Sequence, residues 1–166
     1  IFFNPNYDLR PDAAKLATQR LVPGIKFDDP KTRGETTRSS LPRVDALPNT
    51  ALEGLAAAPL LRRIASIEPK AFQGDDALET VAKRLKRPRQ LLFATHGFFL
   101  EDQNQAANLA AKKPDPLAAN AEGPVADNPL LRCGLLLAGC NVARTDNQDD
   151  GILTGLEIVG MDLRGT

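Results

Sequence analysis

Two short and nearly continuous apolar runs constrain the fold of this chain more than any other feature. They occupy residues 91–94 and 135–138, and each has the length of a β-strand rather than of a helix. Because their apolar residues do not alternate with polar ones, the runs are typical of strands buried on both faces, as in a parallel sheet covered by helices. A third short strand is predicted at residues 1–3, where Asn4 and Pro5 end the apolar stretch.

Three capping patterns predict where helices begin between these strands. In each pattern a Thr or Asp side chain can accept from the amide three residues later, and the Glu at that position can reach back. The pairs are Thr50 with Glu53, Asp76 with Glu79, and Thr154 with Glu157. Pro59 should kink or split the first helix, and the second should end in a basic turn at residues 83–87. With a further short helix at residues 11–20, the order of elements predicts an α/β fold.

Composition and charge exclude several classes of function. The 166 residues fit a single domain, and equal numbers of basic and acidic residues argue against a surface for nucleic acid or an anionic membrane. No apolar run approaches the roughly 20 residues that span a bilayer. Cys133 and Cys140 are too few for a disulfide scaffold, and their apolar surroundings suit reduced, buried thiols in a cytoplasmic protein. Residues 21–47, 101–128 and 141–151 are predicted to be surface segments.

His96 is the single histidine, and it closely follows the apolar run at residues 91–94. In open parallel sheets, ligands bind beyond the carboxyl ends of the strands, so a functional side chain is expected there. Histidine is the usual general base near neutral pH. Gly97 would let a substrate approach the backbone and could present its N–H to an oxyanion. The competing interpretation is a hydrogen-bonded loop histidine followed by a turn glycine.

The residue types present restrict what His96 could serve. None of the three serines stands in a Gly-x-Ser-x-Gly turn, the histidine and cysteines lack the spacing of a zinc site, and no glycine-rich phosphate loop is present. A cysteine–histidine pair remains, and Cys140 is a candidate because it closes the second apolar run. The competing interpretation is that both cysteines only pack in the core.

Six segments, in this order and spacing, resemble the CHAT domain, a caspase-like peptidase domain often attached to tetratricopeptide repeats. They are residues 3–7 (FNPNY), 47–53 (LPNTALE), 91–99 (LLFATHGFF), 128–139 (NPLLRCGLLLAG), 149–157 (DDGILTGLE) and 161–166 (MDLRGT). The resemblance implies a caspase-haemoglobinase-like fold, with a mostly parallel sheet and helices on both faces, incomplete in this chain. It also implies a cysteine endopeptidase with a His–Cys dyad and neither a metal nor an organic cofactor.

Under this resemblance His96 is the catalytic histidine, and Gly97 supplies an N–H of the oxyanion hole. The family's nucleophilic cysteine lies on the strand after the segment that matches residues 161–166. Residues 1–166 are therefore expected to be the N-terminal part of the domain, truncated before that cysteine. The resemblance argues against Cys140, because the matching segment of the family carries no catalytic residue. Asp150 lies near the expected substrate side, where a substrate-binding role competes with that of a carboxylate at a helix entry.

The expected partners are a protein or peptide substrate and a tetratricopeptide-repeat region of the same polypeptide, without nucleic acid or membrane. Two alternatives to this dyad remain. The fold could serve as a catalytically inactive interaction or scaffold module. Alternatively, His96 and Cys140 could form a self-contained thiol enzyme within these residues.

Overall fold

The computed structural model describes residues 1–25, 41–101, 128–142 and 149–164 of the chain. This part is an α/β arrangement of short strands and α-helices. In chain order they are β1 (Phe2–Pro5), α1 (Pro11–Leu21), α2 (Pro48–Ala65), β2 (Phe72–Gly74), α3 (Glu79–Lys83), β3 (Phe93–Ala94), β4 (Gly97–Phe99), β5 (Cys133–Leu136), β6 (Ile152–Thr154) and α4 (Gly155–Val159). A 3-10 turn at Pro129–Leu131 precedes β5.

The first three strands form a parallel sheet in which β1 lies between β2 and β3. Phe2 lies opposite Phe72 on one side and Phe93 on the other. Its ring stacks on both, with centroid separations of 4.7 and 4.9 Å. Because this row buries aromatic area across all three strands, it fixes their register. The expected parallel sheet is confirmed, but only β1 is largely buried; β2 and β3 are partly exposed, and β3 is shorter than the apolar run that predicted it.

The other three strands form an antiparallel sheet in which β5 lies between β4 and β6. The expectation of a mostly parallel sheet is therefore only partly correct, since the described strands make two parallel and two antiparallel pairs. A buried apolar run indicates burial but leaves the direction of pairing open. The run at residues 135–138 also enters β5 only in part. The amides of Leu137 and Ala138 donate instead to Gly151 O and Ala77 O.

One hydrophobic core joins the two sheets. It contains Phe2 from β1 and Leu153 from β6, together with Leu137 just after β5, and all three are fully buried. Helices α1 and α3 contribute small side chains to the same core. His96 lies between β3 and β4, where the chain passes from the parallel sheet to the antiparallel one.

Helix α2 begins three residues earlier than the capping pattern predicted, with Leu47 rather than Thr50 in the capping position. Pro48 occupies its first turn, where the fixed φ of proline suits a helix. The Thr50 hydroxyl donates to Leu47 O at 2.7 Å, so the predicted Thr50–Glu53 capping box is wrong. The predicted split at Pro59 is also wrong, since the helix continues to Ala65. Pro59 is exposed, so water can hydrate the carbonyl that its missing N–H leaves without a partner.

The predicted cap of α3 is wrong as well. The helix begins at Glu79 without a side-chain cap, because Asp76 pairs with Arg20 on α1 and Glu79 turns into the core, where it is 2% exposed. The helix ends at Lys83, so the basic residues beyond it do not form its last turn. Tertiary contacts therefore bind Asp76 and Glu79, the two side chains that the capping pattern assigned to the helix start.

The Thr154–Glu157 capping box of α4 is confirmed. The Thr154 hydroxyl accepts from the Glu157 amide, and the Glu157 carboxylate accepts from the Thr154 amide at 3.0 Å. The helix ends at Val159. Helix α1 lies where it was predicted. Of the predicted surface segments, residues 26–40, 102–127 and 143–148 lie outside the described residues.

Candidate active site

His96 lies two residues beyond the carboxyl end of β3 and directly before β4. It is half-buried. Its carbonyl oxygen accepts from the Leu136 amide at 2.9 Å, which extends the β4–β5 pairing by one position. The backbone of the histidine is therefore tied to the antiparallel sheet, while its side chain stands at the end of a strand of the parallel one.

The imidazole of His96 is fixed by a hydrogen bond to a backbone carbonyl. Its Nε2 lies 2.9 Å from Asp45 O. A carbonyl oxygen can only accept, so Nε2 carries a proton in this contact. The lone pair of the neutral ring is then on Nδ1. Nδ1 is therefore the ring atom that can take a proton from a nucleophile.

Tyr7 packs against His96 and holds its backbone. It is 3% exposed, and its ring centroid lies 5.4 Å from that of the imidazole at an interplanar angle of 48°. The Tyr7 hydroxyl lies 3.0 Å from Thr95 Oγ1 and accepts from the His96 amide at 3.4 Å. The Thr95 hydroxyl donates to Leu136 O, so Tyr7 is the donor to Thr95. This short polar chain connects the segment before β4 to β5.

The N–H of Gly97 points away from β5. Strand residues direct their backbone groups alternately to either side. On the β5 side, His96 O accepts from Leu136 N, and Leu100 N donates to Arg132 O. Because β4 is the edge strand of its sheet, the Gly97 amide faces a side that no described strand covers. A Cβ at Gly97 would make only ordinary van der Waals contacts, the nearest with Gly134 O at 3.6 Å.

Asp150 lies at the same end of the antiparallel sheet as His96. Strands β4 and β6 flank β5 and run in the same direction, and Leu136 lies opposite Ile152. Two strand spacings of about 4.8 Å place the two ends roughly 10 Å apart. The Asp150 carboxylate accepts from the Ile152 amide at 3.0 Å, a contact that forms the turn into β6. His96, Gly97 and Asp150 therefore share one end of the sheet.

Of the two cysteines, Cys140 is in a buried apolar cluster, whereas Cys133 belongs to no core cluster of the described residues. Cys140 is 8% exposed and lies in an apolar cluster with Tyr7, Leu136 and Ile152. It also borders a cavity of about 80 Å³. Cys133 is half-buried on β5. Tyr7 belongs to the cluster of Cys140 and also contacts the His96 ring. These contacts do not test the alternative pair of His96 with Cys140, which stays a prediction.

The sequence did not predict a charged cluster around Lys83. The ammonium nitrogen lies 3.0 Å from a Glu79 oxygen, 2.7 Å from an Asp149 oxygen and 3.0 Å from a Glu157 oxygen. The second oxygen of Glu79 accepts from the Gly151 amide at 2.9 Å. The four-residue spacing of Glu79 and Lys83 was the signal that could have revealed part of this cluster. Its effect is to hold the turn before β6 against α3 and α4.

The environment of Glu157 favours its charged form. Burial alone would raise the pKa of this carboxyl, but the Thr154 amide and the charge and hydrogen bond of Lys83 outweigh it. The pKa of Glu157 is therefore lowered overall. Glu157 therefore carries its negative charge at neutral pH.

The described residues place no group of three or more His, Cys, Asp or Glu side chains where they could hold a metal ion. In the same part of the chain, no helix has both the length and the apolar character needed to cross a membrane.

The chain matches one family model, described as the CHAT domain, over residues 9–166. The match therefore covers nearly the whole chain, including the antiparallel sheet and the candidate residues His96, Gly97, Cys140 and Asp150, but it begins after β1 of the parallel sheet. Comparisons with curated proteins and with solved structures gave no match.

Proposed function

The chain belongs to the CHAT domain family, and on that premise we propose that it forms the histidine-bearing part of a cysteine endopeptidase. In this proposal the complete domain has the caspase-haemoglobinase fold. The nucleophilic cysteine follows residue 166 in the full polypeptide, on the strand that the family resemblance expects there. The substrate is a protein or peptide, no cofactor takes part, and the domain acts in the cytoplasm beside a tetratricopeptide-repeat region.

The observation that carries this proposal is the hydrogen bond between His96 Nε2 and Asp45 O. It selects the tautomer whose Nδ1 can accept a proton, and it stabilises the imidazolium that forms when Nδ1 does so. The half-buried ring can still be reached by a substrate, because its neighbour Gly97 is exposed.

The chemistry follows from these positions. Nδ1 of His96 takes the thiol proton as the sulfur attacks the scissile carbonyl carbon, and the carbonyl oxygen becomes an oxyanion. The Gly97 N–H, which points to the open side of β4, donates to that oxyanion. The imidazolium then gives its proton to the leaving amine as the C–N bond breaks. A water molecule, deprotonated by Nδ1, hydrolyses the remaining thioester.

Asp150 has a substrate-binding role in this proposal. It lies at the same end of the antiparallel sheet as His96, and Gly151 beside it is fixed by the Glu79 carboxylate. A peptide on the open side of β4 would lie three strand spacings of about 4.8 Å from this turn, or about 14 Å. Catalysis and substrate contacts would thus come from different strands of one sheet.

The proposal is tested on the full polypeptide with a mixture of peptides, by counting new N-termini with mass spectrometry. We expect new termini from the untreated protein and none after alkylation with iodoacetamide. A Cys140→Ala variant separates the two possible nucleophiles, and we expect it to cleave like the wild type. Cleavage that survives alkylation would overturn the cysteine mechanism, and loss of cleavage in Cys140→Ala with an unchanged melting temperature would assign the thiol to Cys140.

The alternative, an inactive interaction module, is favoured by one observation on α2. The solvent face of this helix carries large aliphatic side chains that are between 50 and 67% exposed: Leu52, Leu55, Leu60 and Ile64. Exposed apolar faces of this kind often contact another protein surface. An interaction module would bind its partner equally well with His96→Ala, and the full polypeptide would yield no new termini from any peptide.

A further inference from the structure

We infer that Asn141 is a positioning residue that holds the Val44–Asp45 backbone in place for His96, an inference that rests on the proposed role of His96. The Asp45 carbonyl can fix the imidazole only if the segment that carries it is itself fixed. Residues 42–47 have no regular secondary structure, so neither a strand ladder nor a helix orients this carbonyl.

The side-chain amide of Asn141 replaces such a ladder at one point. Its Oδ1 accepts from the Val44 amide at 3.0 Å, and its Nδ2 donates to Val44 O at 2.8 Å. A carboxamide has one acceptor and two donor hydrogens, so it can bind both backbone groups of one residue as a paired strand would. Val44 directly precedes Asp45, and this contact therefore restricts the peptide plane next to the carbonyl that binds His96.

The other contacts of residues 42–47 orient the Val44–Asp45 backbone less strictly. Arg43 and Asp8 form an ion pair at 2.8 Å, but both side chains are more than half exposed, and such pairs hold geometry weakly. The Val44 side chain packs against the apolar cluster that includes Tyr7 and Leu136. Apolar packing is non-directional and sets depth rather than the orientation of a peptide plane.

Asn141 is itself held from two directions. Its backbone amide donates to Tyr7 O at 2.9 Å, and its Nδ2 donates to Asp8 Oδ1 at 2.9 Å. Since the Tyr7 ring packs against the imidazole, Asn141 connects two groups that contact His96: the tyrosine through its backbone and the Asp45 segment through its side chain. The residue lies in a segment that the sequence indicated only as polar loop.

The test observes the imidazole directly, by NMR of protein labelled with ¹⁵N-histidine and purified without a histidine tag. The His96 signal is identified as the one missing from His96→Gln. In the wild type we expect a Nε2–H resonance that the hydrogen bond protects from exchange with water. In Asn141→Ala we expect this proton to exchange at least about tenfold faster, a loosening that corresponds to roughly 1.4 kcal/mol.

The matched control is Asn128→Ala. Asn128 also binds a backbone amide through its side chain, at Leu130, 3.0 Å away, and its contact is not with residues 42–47. We expect Asn128→Ala to leave the His96 Nε2–H unchanged. If Asn141→Ala does not fold, Asn141→Asp replaces it, because that variant retains an acceptor for Val44 N and loses the donor to Val44 O.

The outcome separates this inference from the proposed function. An unchanged Nε2–H exchange rate in folded Asn141→Ala or Asn141→Asp would overturn the role of Asn141, whether or not the full polypeptide cleaves peptides. Faster exchange with a lower kcat and an unchanged KM supports both. Faster exchange in Asn141→Ala, together with no peptide cleavage by the wild-type full polypeptide, would support the positioning role of Asn141 and count against the peptidase.

Discussion

At the scale of single residues, the contacts of His96 define its chemistry more than the residue type alone does. A lone histidine after a strand is compatible with structure or catalysis, whereas an imidazole whose Nε2 donates to Asp45 O has a defined proton-accepting atom. Gly97 adds an N–H that points to the uncovered side of an edge strand. The two neighbours thus offer a base and an oxyanion donor from consecutive positions of the chain.

Gly97 provides a test of the backbone donor. Gly97→Pro removes the N–H, and proline is tolerated on an edge strand whose N–H faces outward. We expect kcat to fall by about 10²-fold, the usual effect of losing one oxyanion donor. Gly97→Ala keeps the N–H, and its Cβ would make only ordinary van der Waals contacts, so it should retain activity close to that of the wild type. Equal activity in the two folded variants would exclude the amide from the mechanism.

At the scale of elements, α2 is held against β1 through a contact that tolerates no side chain. A Cβ at Gly54 would lie 2.2 Å from the Phe3 ring. Gly54→Ala would raise helix propensity by up to about 1 kcal/mol, but overpacking costs typically 1–3 kcal/mol. We expect a net loss of stability in urea unfolding, and a partial recovery when Phe3→Leu is added. A more stable Gly54→Ala would show that the helix can move off the sheet without penalty.

The cluster around Lys83 links α3, α4 and the turn before β6, and it predicts a pH dependence. The folded pKa of Glu157 is lower than in the unfolded chain. Its contribution to stability is therefore complete above about pH 4.5, the ordinary value, and is lost as the pH falls through the lower folded value. We expect the melting temperature to drop below that pH, less steeply in Glu157→Gln. A Glu157→Gln curve as steep as the wild-type curve would exclude this group.

Removal of the lysine tests the same cluster at neutral pH. Lys83→Met leaves three carboxylates close together, one of them almost fully buried. Breaking a buried ion pair costs 3–5 kcal/mol, and Lys83 is about a quarter exposed, so we expect roughly 2 kcal/mol. Urea unfolding at pH 7 measures the loss, with Lys70→Met as a control on an exposed lysine. A loss no larger than that of the control would show that the cluster is held together by other contacts.

At the scale of the whole molecule, the sequence predicted the types of secondary structure better than it predicted how distant segments pair. The uninterrupted apolar run at residues 135–138 identified a segment buried at three of its four positions, whereas in the run at residues 91–94 only Ala94 is buried. They did not identify the antiparallel sheet, since pairing direction depends on partners distant in the chain. The Thr154–Glu157 box was predictable because both partners are local. Asp76 and Glu79 were not, because Arg20, Lys83 and Gly151 bind them instead.

The candidate site shows the same division. His96 and Gly97 could be proposed from their place after a strand, and Asp150 from the family resemblance. Asp45 could not be predicted, because it contacts His96 through its backbone carbonyl, a group that every residue type has. Asn141 likewise acts on a segment 97 residues away, which no local pattern reports. Long-range hydrogen bonds to the backbone were the part of the site that the sequence left open.

The measurement that tests the account most directly is the turnover of His96→Ala in the full polypeptide, on the peptide that the wild type cleaves fastest. The account predicts a kcat at least about 10²-fold below that of the wild type, with a melting temperature close to it because the ring is only half-buried. An Asn128→Ala variant assayed beside it should keep wild-type turnover. Wild-type turnover in folded His96→Ala would contradict the assignment of His96 as the catalytic base.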